Sequence, residues 1–556
     1  MRIRLFPLVY LLAGACAPAR PAAPTPTPVS APAPNASAPA VAAPPTPAPA
    51  APILEAPDDW QLRDAGADRV PGISARRAER ELLGSRRPAR TVVVAIIDGG
   101  IDTAHVDLKA NLWTNPKEVA GNGKDDDGNG YVDDTRGWNF LGAPNGENVD
   151  WDTLELTREQ LRCSKGGATI ADATAKAHCA EVEKEFSEKK TETQQQAMQI
   201  QMMDGMYSRT VSILRAVIPT DSLTVARVTA VKPASDSVRA ARELFLRMAA
   251  SGIDARALAD AREDVNGRLK YGFNLDFNPR TIIGDDPNNP TERRYGNRDV
   301  TGPDAKHGSH VAGIIGAVRG NNVGIDGIAT SVRLMAVRAV PNGDEHDKDV
   351  ANAIRYAVDN GAQIINMSFG KGFSPDKRVV DDAVKYADAH GVLMIHAAGN
   401  DGQDLAEGGN FPTPVYLDGA RAANWIEVGA SSWKGGAELA APFSNYGKSQ
   451  VDVFAPGVDI LSTVPGDGYA KESGTSMAAP VVTGLAAVLM SYFPTLSAAD
   501  VKQIIMDSAT RYADTMVVKP GTEGEKVAFG SLSITGGVVN LYGAVKAAIA
   551  RTGSIQ

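Results

Sequence analysis

"TVVVAIID" occupies Thr91 to Asp98. Its apolar residues are continuous rather than alternating, and most are β-branched. Such a run suits a strand buried on both faces, as in a parallel sheet. Four more runs follow: "RLMAVRAV" (333–340), "AQIINMS" (362–368), "GVLMIHAA" (391–398) and "WIEVGA" (425–430). Between them, "DVANAIRYAVDNG" and "VVDDAVKYADAHG" have helical spacing, and each closes on glycine, a helix stop. This alternation predicts an α/β fold, a parallel sheet flanked by helices on both faces. In such folds the reactive groups gather at the carboxyl ends of the strands.

Three short motifs fall at such ends. "IIDGGID" places Asp98 just past the first strand. "HGSHVAG" opens a small-residue helix with His307. "SGTSMAAPVVTG" puts Ser476 at the start of another helix among small neighbours. An acid, an imidazole and a hydroxyl are the three groups that acyl transfer needs. A bulky side chain beside the hydroxyl would block a peptide carbonyl. At a helix N-terminus, the serine N–H also points where an oxyanion would form. Taken alone, Ser476 reads first as a helix cap; the company of the other motifs turns the reading to a reactive serine.

"VAIIDGGID", "HGSHVAG" and "GTSMAAP", in that order, resemble the subtilase family of serine peptidases over roughly residues 57–115 and 268–548. The resemblance implies a subtilisin-like sheet and a triad of Asp98, His307 and Ser476. It implies an oxyanion donor at Asn400, from "HAAGNDG". It also implies a substrate-binding strand at Ser368, Phe369 and Gly370, from "NMSFG". Such a strand would bind polypeptide as an added β-strand. Two departures stand out. The family usually carries a serine or threonine after the aspartate, where this chain has Gly99 and then Gly100. "HGSH" also replaces "HGTH". His105, His310 and His396 read as structural histidines, and Asp401 as either a pocket-edge acid or a solvated loop acid.

Asp98 and His307 are 209 residues apart, far more than in compact family members. The excess begins with "NGKDDDGNGYVDD", where Asp125, Asp127, Asn129 and Asp133 recur with Gly130 between them. These match positions one, three, five and nine of a calcium loop with its glycine at six. The position-twelve glutamate is absent, since Arg136 stands there. The choice is a structural calcium site or a solvated acidic turn. Strong helix formers then fill Thr174 to Val217 and Asp236 to Ala249, predicting a helical insertion. It is either a lid beside the site or a surface excursion. Asp285, Asp286 and Asp304 read as loop acids, with a place in a metal site as the alternative.

The N-terminus has its own logic. Arg2 and Arg4 precede a short apolar run ending in "LAGAC", which resembles a lipobox with lipid on Cys16. A plain cleaved signal is the alternative. Residues 17–52 are almost wholly Pro, Ala, Thr and Ser, a composition that cannot bury a core and extends to on the order of 100 Å as polyproline. With Cys16 set aside, Cys163 and Cys179 remain as a bridge or as two thiols. The expected organisation is a signal (1–16), a tether (17–52), a peptidase domain (53–150 and 263–556) and a helical insertion (151–262). The short stretch between tether and first strand leaves no room for a folded propeptide, so folding without autoprocessing is expected.

A net charge of −9 without a long basic run argues against a nucleic-acid partner. No redox or nucleotide cofactor is expected. The expected function is a serine endopeptidase, exported to the cell envelope as a periplasm-facing or outer-membrane lipoprotein, or secreted. An inactive subtilase-like scaffold on the envelope is the competing class. An esterase of the α/β-hydrolase type lacks its "GxSxG" elbow and has the wrong chain order.

Overall fold

The computed structural model describes residues 53, 55–84, 86–166, 173–218 and 223–553. Contacts divide the chain into Met1–Pro57 and Asp58–Gln556. Cys16 and the tether lie outside the described residues. Every strand and helix named here belongs to the second unit.

The long apolar runs form the strands expected of them: β1 (Val92–Asp98), β3 (Val332–Arg338), β4 (Ile364–Met367), β5 (Leu393–Ala397) and β6 (Trp425–Ser431). Short strands join them: β2 (Gly137–Asn139), β7 (Val453–Pro456), β10 (Thr510–Arg511) and β13 (Gly537–Val538). Two separate hairpins pair β8 (Ile460–Val464) with β9 (Gly468–Glu472), and β11 (Met516–Val518) with β12 (Lys526–Ala528). The nine-stranded sheet runs β10-β13-β7-β6-β5-β4-β1-β3-β2. Every neighbouring pair is parallel except β10 with β13. Register sets Asp98 opposite Arg338, and Ile97 opposite Met367. The ends of β1, β3 and β4 therefore lie level, and the loops after them share one edge of the sheet.

Side chains alternate along β1. Ala95 and Ile97 enter a core with Val350, Ile354, Val380 and Val384, from helices Asp347–Asp359 and Lys377–Ala389. Both helices stop as their glycines require, with Gly361 and Gly391 at positive φ. The opposite face carries helices Lys306–Gly316 and Thr475–Tyr492, the latter tied to β4 by Thr483 Oγ1 donating to Asn366 Oδ1. Helix Thr475–Tyr492 is apolar and long enough to cross a membrane, yet 94% of it is buried inside the fold, so it is a core helix.

The excess chain is helical: Glu155–Gly166, Ala173–Arg215, Val225–Ala230, Asp236–Ala250 and Ala255–Gly267. Thr224, Ser235 and Asp254 cap the last three by accepting from backbone N–H groups three residues on. Two small cores hold this region, one around Val182, Phe186 and Phe273, the other around Leu214, Val228 and Phe245. Cys163 and Cys179 are disulfide-bonded and join its first two helices.

Candidate active site

Asp98 ends β1 and is buried. His307 is the second residue of its helix, and its Nδ1 lies 2.9 Å and 3.0 Å from the two Asp98 carboxylate oxygens. A carboxylate only accepts, so Nδ1 carries the proton and Nε2 is left as a base. Burial pulls the imidazole pKa down. The charge and hydrogen bond of Asp98 outweigh it, and the net result lies above the ordinary 6.5. This approach needs Gly308, because a Cβ there would overlap the Gly100 carbonyl oxygen. Gly100 has φ of 144°, and a Cβ on it would overlap the Thr301 carbonyl. The second glycine of "DGG" is therefore required. At Gly99 the hydroxyl usual in the family is absent, but the Gly99 N–H donates to Asp98 Oδ1 at 2.7 Å.

Ser476 is the one residue of its helix that is not buried. Four residues on stands Pro480, which has no N–H to give the Ser476 carbonyl. That carbonyl accepts from Ser368 Oγ at 3.0 Å instead. The Ser476 hydroxyl in turn donates to the Ser368 carbonyl at 3.1 Å. The end of β4 and the start of the helix are thus cross-linked by two reciprocal bonds. Asn366 Nδ2 donates to Ser368 Oγ at 2.9 Å and completes the pattern.

Asn400 follows β5. Its Oδ1 accepts from Thr475 N at 2.8 Å and from Thr475 Oγ1 at 3.0 Å. With the oxygen so engaged, Nδ2 is the donor left on this amide. A Cβ built on Gly474 would sit 3.6 Å from both Asn400 Nδ2 and Ser476 N, so the two nitrogens lie no more than about 7 Å apart. Asn445 secures the loop: its Oδ1 accepts from Asp401 N and Gln403 N, and its Nδ2 donates to the Ala398 carbonyl.

The Ser368–Gly370 segment is braced from below. His396 is buried between Glu427 Oε1 and the Phe369 carbonyl, each 2.9 Å from a ring nitrogen. His310 donates to the Ala470 carbonyl and His105 to the Gly468 carbonyl, both from buried positions. All three histidines are structural. Gly370 packs on the Asn410 side chain, whose Nδ2 donates to the Ala397 carbonyl. Lys371, the next residue, is buried between Glu155 and Asp347 at 2.9 Å each. On the other side, Lys306 pairs with Asp260 at 2.8 Å and Glu472 at 3.1 Å. Glu155 and Asp260 belong to the helical insertion, which therefore touches residues adjacent to both His307 and Gly370.

The acidic loop is arranged differently from its sequence pattern. Asp125 and Asp127 come together with Glu118, whose carboxylate lies within 4.8 Å of theirs. Asp133 is turned away; it accepts from Gly121, Asn122 and Gly123 N–H groups and pairs with Arg298. Asn129 Oδ1 accepts from Tyr131 N. Asp285 pairs with Arg280 and Lys348, and Asp304 Oδ1 accepts from Lys306 N. Sequence reasoning missed Glu118, Thr475 and Asn445. Only Glu118 carried a signal, as an acid at the head of the loop.

A family model described as "Subtilase family" matches residues 89–524, and the chain belongs to that family. Two relatives match parts of it. A "Thermophilic serine proteinase" of Bacillus sp. (strain AK1) is 45% identical over 186 residues, 33% of this chain and 42% of that one. A "Subtilisin" of Bacillus pumilus is 39% identical over 209 residues, 37% of this chain and 70% of that one. The chain spans about half the length of most of the curated relatives it matches. A solved structure from Pseudoalteromonas arctica PAMC 21717, titled as proteases, aligns over 88% of this chain and 97% of that one. Its identity is 18% and its TM-score 0.45.

Proposed function

We propose that this chain is an exported serine endopeptidase acting through an acyl-enzyme. His307 Nε2 takes the proton as Ser476 Oγ attacks the scissile carbonyl, then returns it to the leaving amine. Asp98 holds the tautomer and stabilises the imidazolium. Ser476 N–H and Asn400 Nδ2 receive the oxyanion. Water, activated by the same imidazole, releases the acyl group. An extended polypeptide lies along Ser368, Phe369 and Gly370. The observation that carries this reading is the Asp98–His307 pair, already formed, with Asn400 tied through its Oδ1 to Thr475, the residue before Ser476.

Calcium is proposed to brace the acidic loop, held by Glu118, Asp125 and Asp127. The support is Glu118 Oε2, a buried oxygen with no hydrogen-bond partner, on a carboxylate that comes within 4.8 Å of those of Asp125 and Asp127. Asp133, held by three backbone N–H groups and Arg298, is outside this ligand set. Export and a lipid on Cys16 rest on the N-terminal sequence and the tether after it.

One observation favours the inactive scaffold instead: the Ser476 hydroxyl donates to Ser368 rather than to His307. Hydrogen bonds of this kind commonly form only with substrate. Cleavage of an unfolded protein by the parent, and none by Ser476→Ala, distinguishes the two.

A further inference from the structure

Arg338 is the last residue of β3 and the register partner of Asp98. It is 2% exposed. Its Nε donates to the Gly99 carbonyl at 2.7 Å, one guanidinium nitrogen donates to Asn139 Oδ1 at 3.1 Å, and the other to the Val149 carbonyl. None of these bonds reaches a carboxylate. Asp299, Asp150 and Asp304 act on it only at longer range, and burial lowers its pKa to about 10, so it stays charged at neutral pH. Burying a cation without a direct counter-ion is costly, and an apolar chain of similar length would fill the end of a buried strand without that cost. The retained charge calls for a use.

The use is visible in its partners. Gly99 and Gly100 follow Asp98 directly, and two glycines make a turn with little stiffness of its own. The Gly99 N–H donates to Asp98, while the carbonyl of the same residue is held by Arg338. The guanidinium also packs against Gly302, beside the Thr301 carbonyl on which Gly100 rests. Its remaining donors go to Asn139 in β2 and to Val149, which leads into the helical insertion.

We propose that Arg338 is a positioning residue for the Asp98–His307 pair, clamping the diglycine turn and linking it to the base of the insertion. The proposal rests on the peptidase reading of the site.

The test compares the full parent chain with Arg338→Met and Arg338→Lys. Three quantities are read: kcat and KM on a peptide substrate, the thermal midpoint, and the downfield proton NMR signal of His307 Nδ1–H. That signal reports the Asp98 bond whether or not turnover occurs, and Asp98→Asn assigns it by removing it. For Arg338→Met we expect kcat to fall about 10- to 100-fold with KM changed less than about twofold, the scale of a small misplacement at a reacting centre. The downfield signal should move or broaden in the folded protein. Arg338→Lys, which keeps the charge and the reach to Gly99, should recover most of both. Unchanged kcat and signal in folded Arg338→Met would overturn the proposal, as would a lowered midpoint alone. Should the methionine variant not fold, Arg338→Lys decides: a parent-like signal with kcat lost overturns the proposal, and a parent-like signal with kcat within about fivefold of the parent supports it. An intact downfield signal with no turnover in the parent would instead count against the peptidase reading.

Discussion

Replacing Ser368 with alanine removes the hydroxyl that serves the Ser476 carbonyl. That carbonyl cannot turn to its own helix, because Pro480 offers no N–H. The same change strips Asn366 Nδ2 of its acceptor. Both groups sit in a buried setting, and each orphan costs about 1–3 kcal/mol. The buried serine hydroxyl leaves with the substitution, so the lower half of the sum applies, about 3 kcal/mol. For a chain of this length that lowers the thermal midpoint by roughly 3–6 °C. The assay is a double-mutant cycle by calorimetry with Pro480→Ala. Alanine at 480 gives the Ser476 carbonyl its helical partner back, so Ser368→Ala should cost about 1–2 kcal/mol less in that background. An equal penalty in both backgrounds would refute the idea that Ser368 stands in for the missing N–H.

Other expectations can be checked alongside. Because the His307 pKa is raised and catalysis needs its neutral form, the acidic limb of kcat/KM should lie above pH 6.5; Asp98→Asn should move it down and cut the rate. The same shift stabilises the fold fully below pH 6.5, and that contribution fades as pH rises through the folded value. Glu345 is 2% exposed, its Oε1 has no partner, and burial raises its pKa from 4.5 to about 7. Its stabilising share is whole below pH 4.5 and lost as pH passes 7. Glu345→Gln should therefore raise stability by about 3 kcal/mol at pH 8.5 and change little at pH 4, read from denaturant midpoints. A calcium chelator should lower the thermal midpoint of the parent and leave that of Glu118→Gln unmoved; equal responses in both would remove Glu118 from the ligand set.

Much of this architecture was legible in the chain. The runs ending at Asp98, Arg338 and Met367 are long and continuously apolar, so burial on both faces could be read locally. The glycines closing "YAVDNG" and "YADAHG" fixed two helix ends for the same reason. β7 was missed because "VFAP" is short and contains a proline. β10 and β13 are two residues each and have no period to detect. The acidic loop shows where pattern reading fails. Spacing alone grouped Asp133 with Asp125, but three backbone N–H groups and Arg298 claim it, and Glu118 takes the place beside Asp125 and Asp127. Bonds between residues far apart in sequence, such as Lys371 with Glu155, leave no local trace. Neither does Asn445, whose role depends on a loop 40-odd positions earlier.

The most direct test of the central claim is to treat the full chain with a fluorophosphonate and map the modified residue by mass spectrometry. Only an activated hydroxyl backed by a base and an oxyanion site should react. The expected result is one adduct on Ser476, absent from Ser476→Ala and strongly reduced in His307→Ala and Asn400→Ala. A folded parent that takes no label, or takes it at another residue, would contradict the assignment of Asp98, His307, Asn400 and Ser476 as one catalytic site.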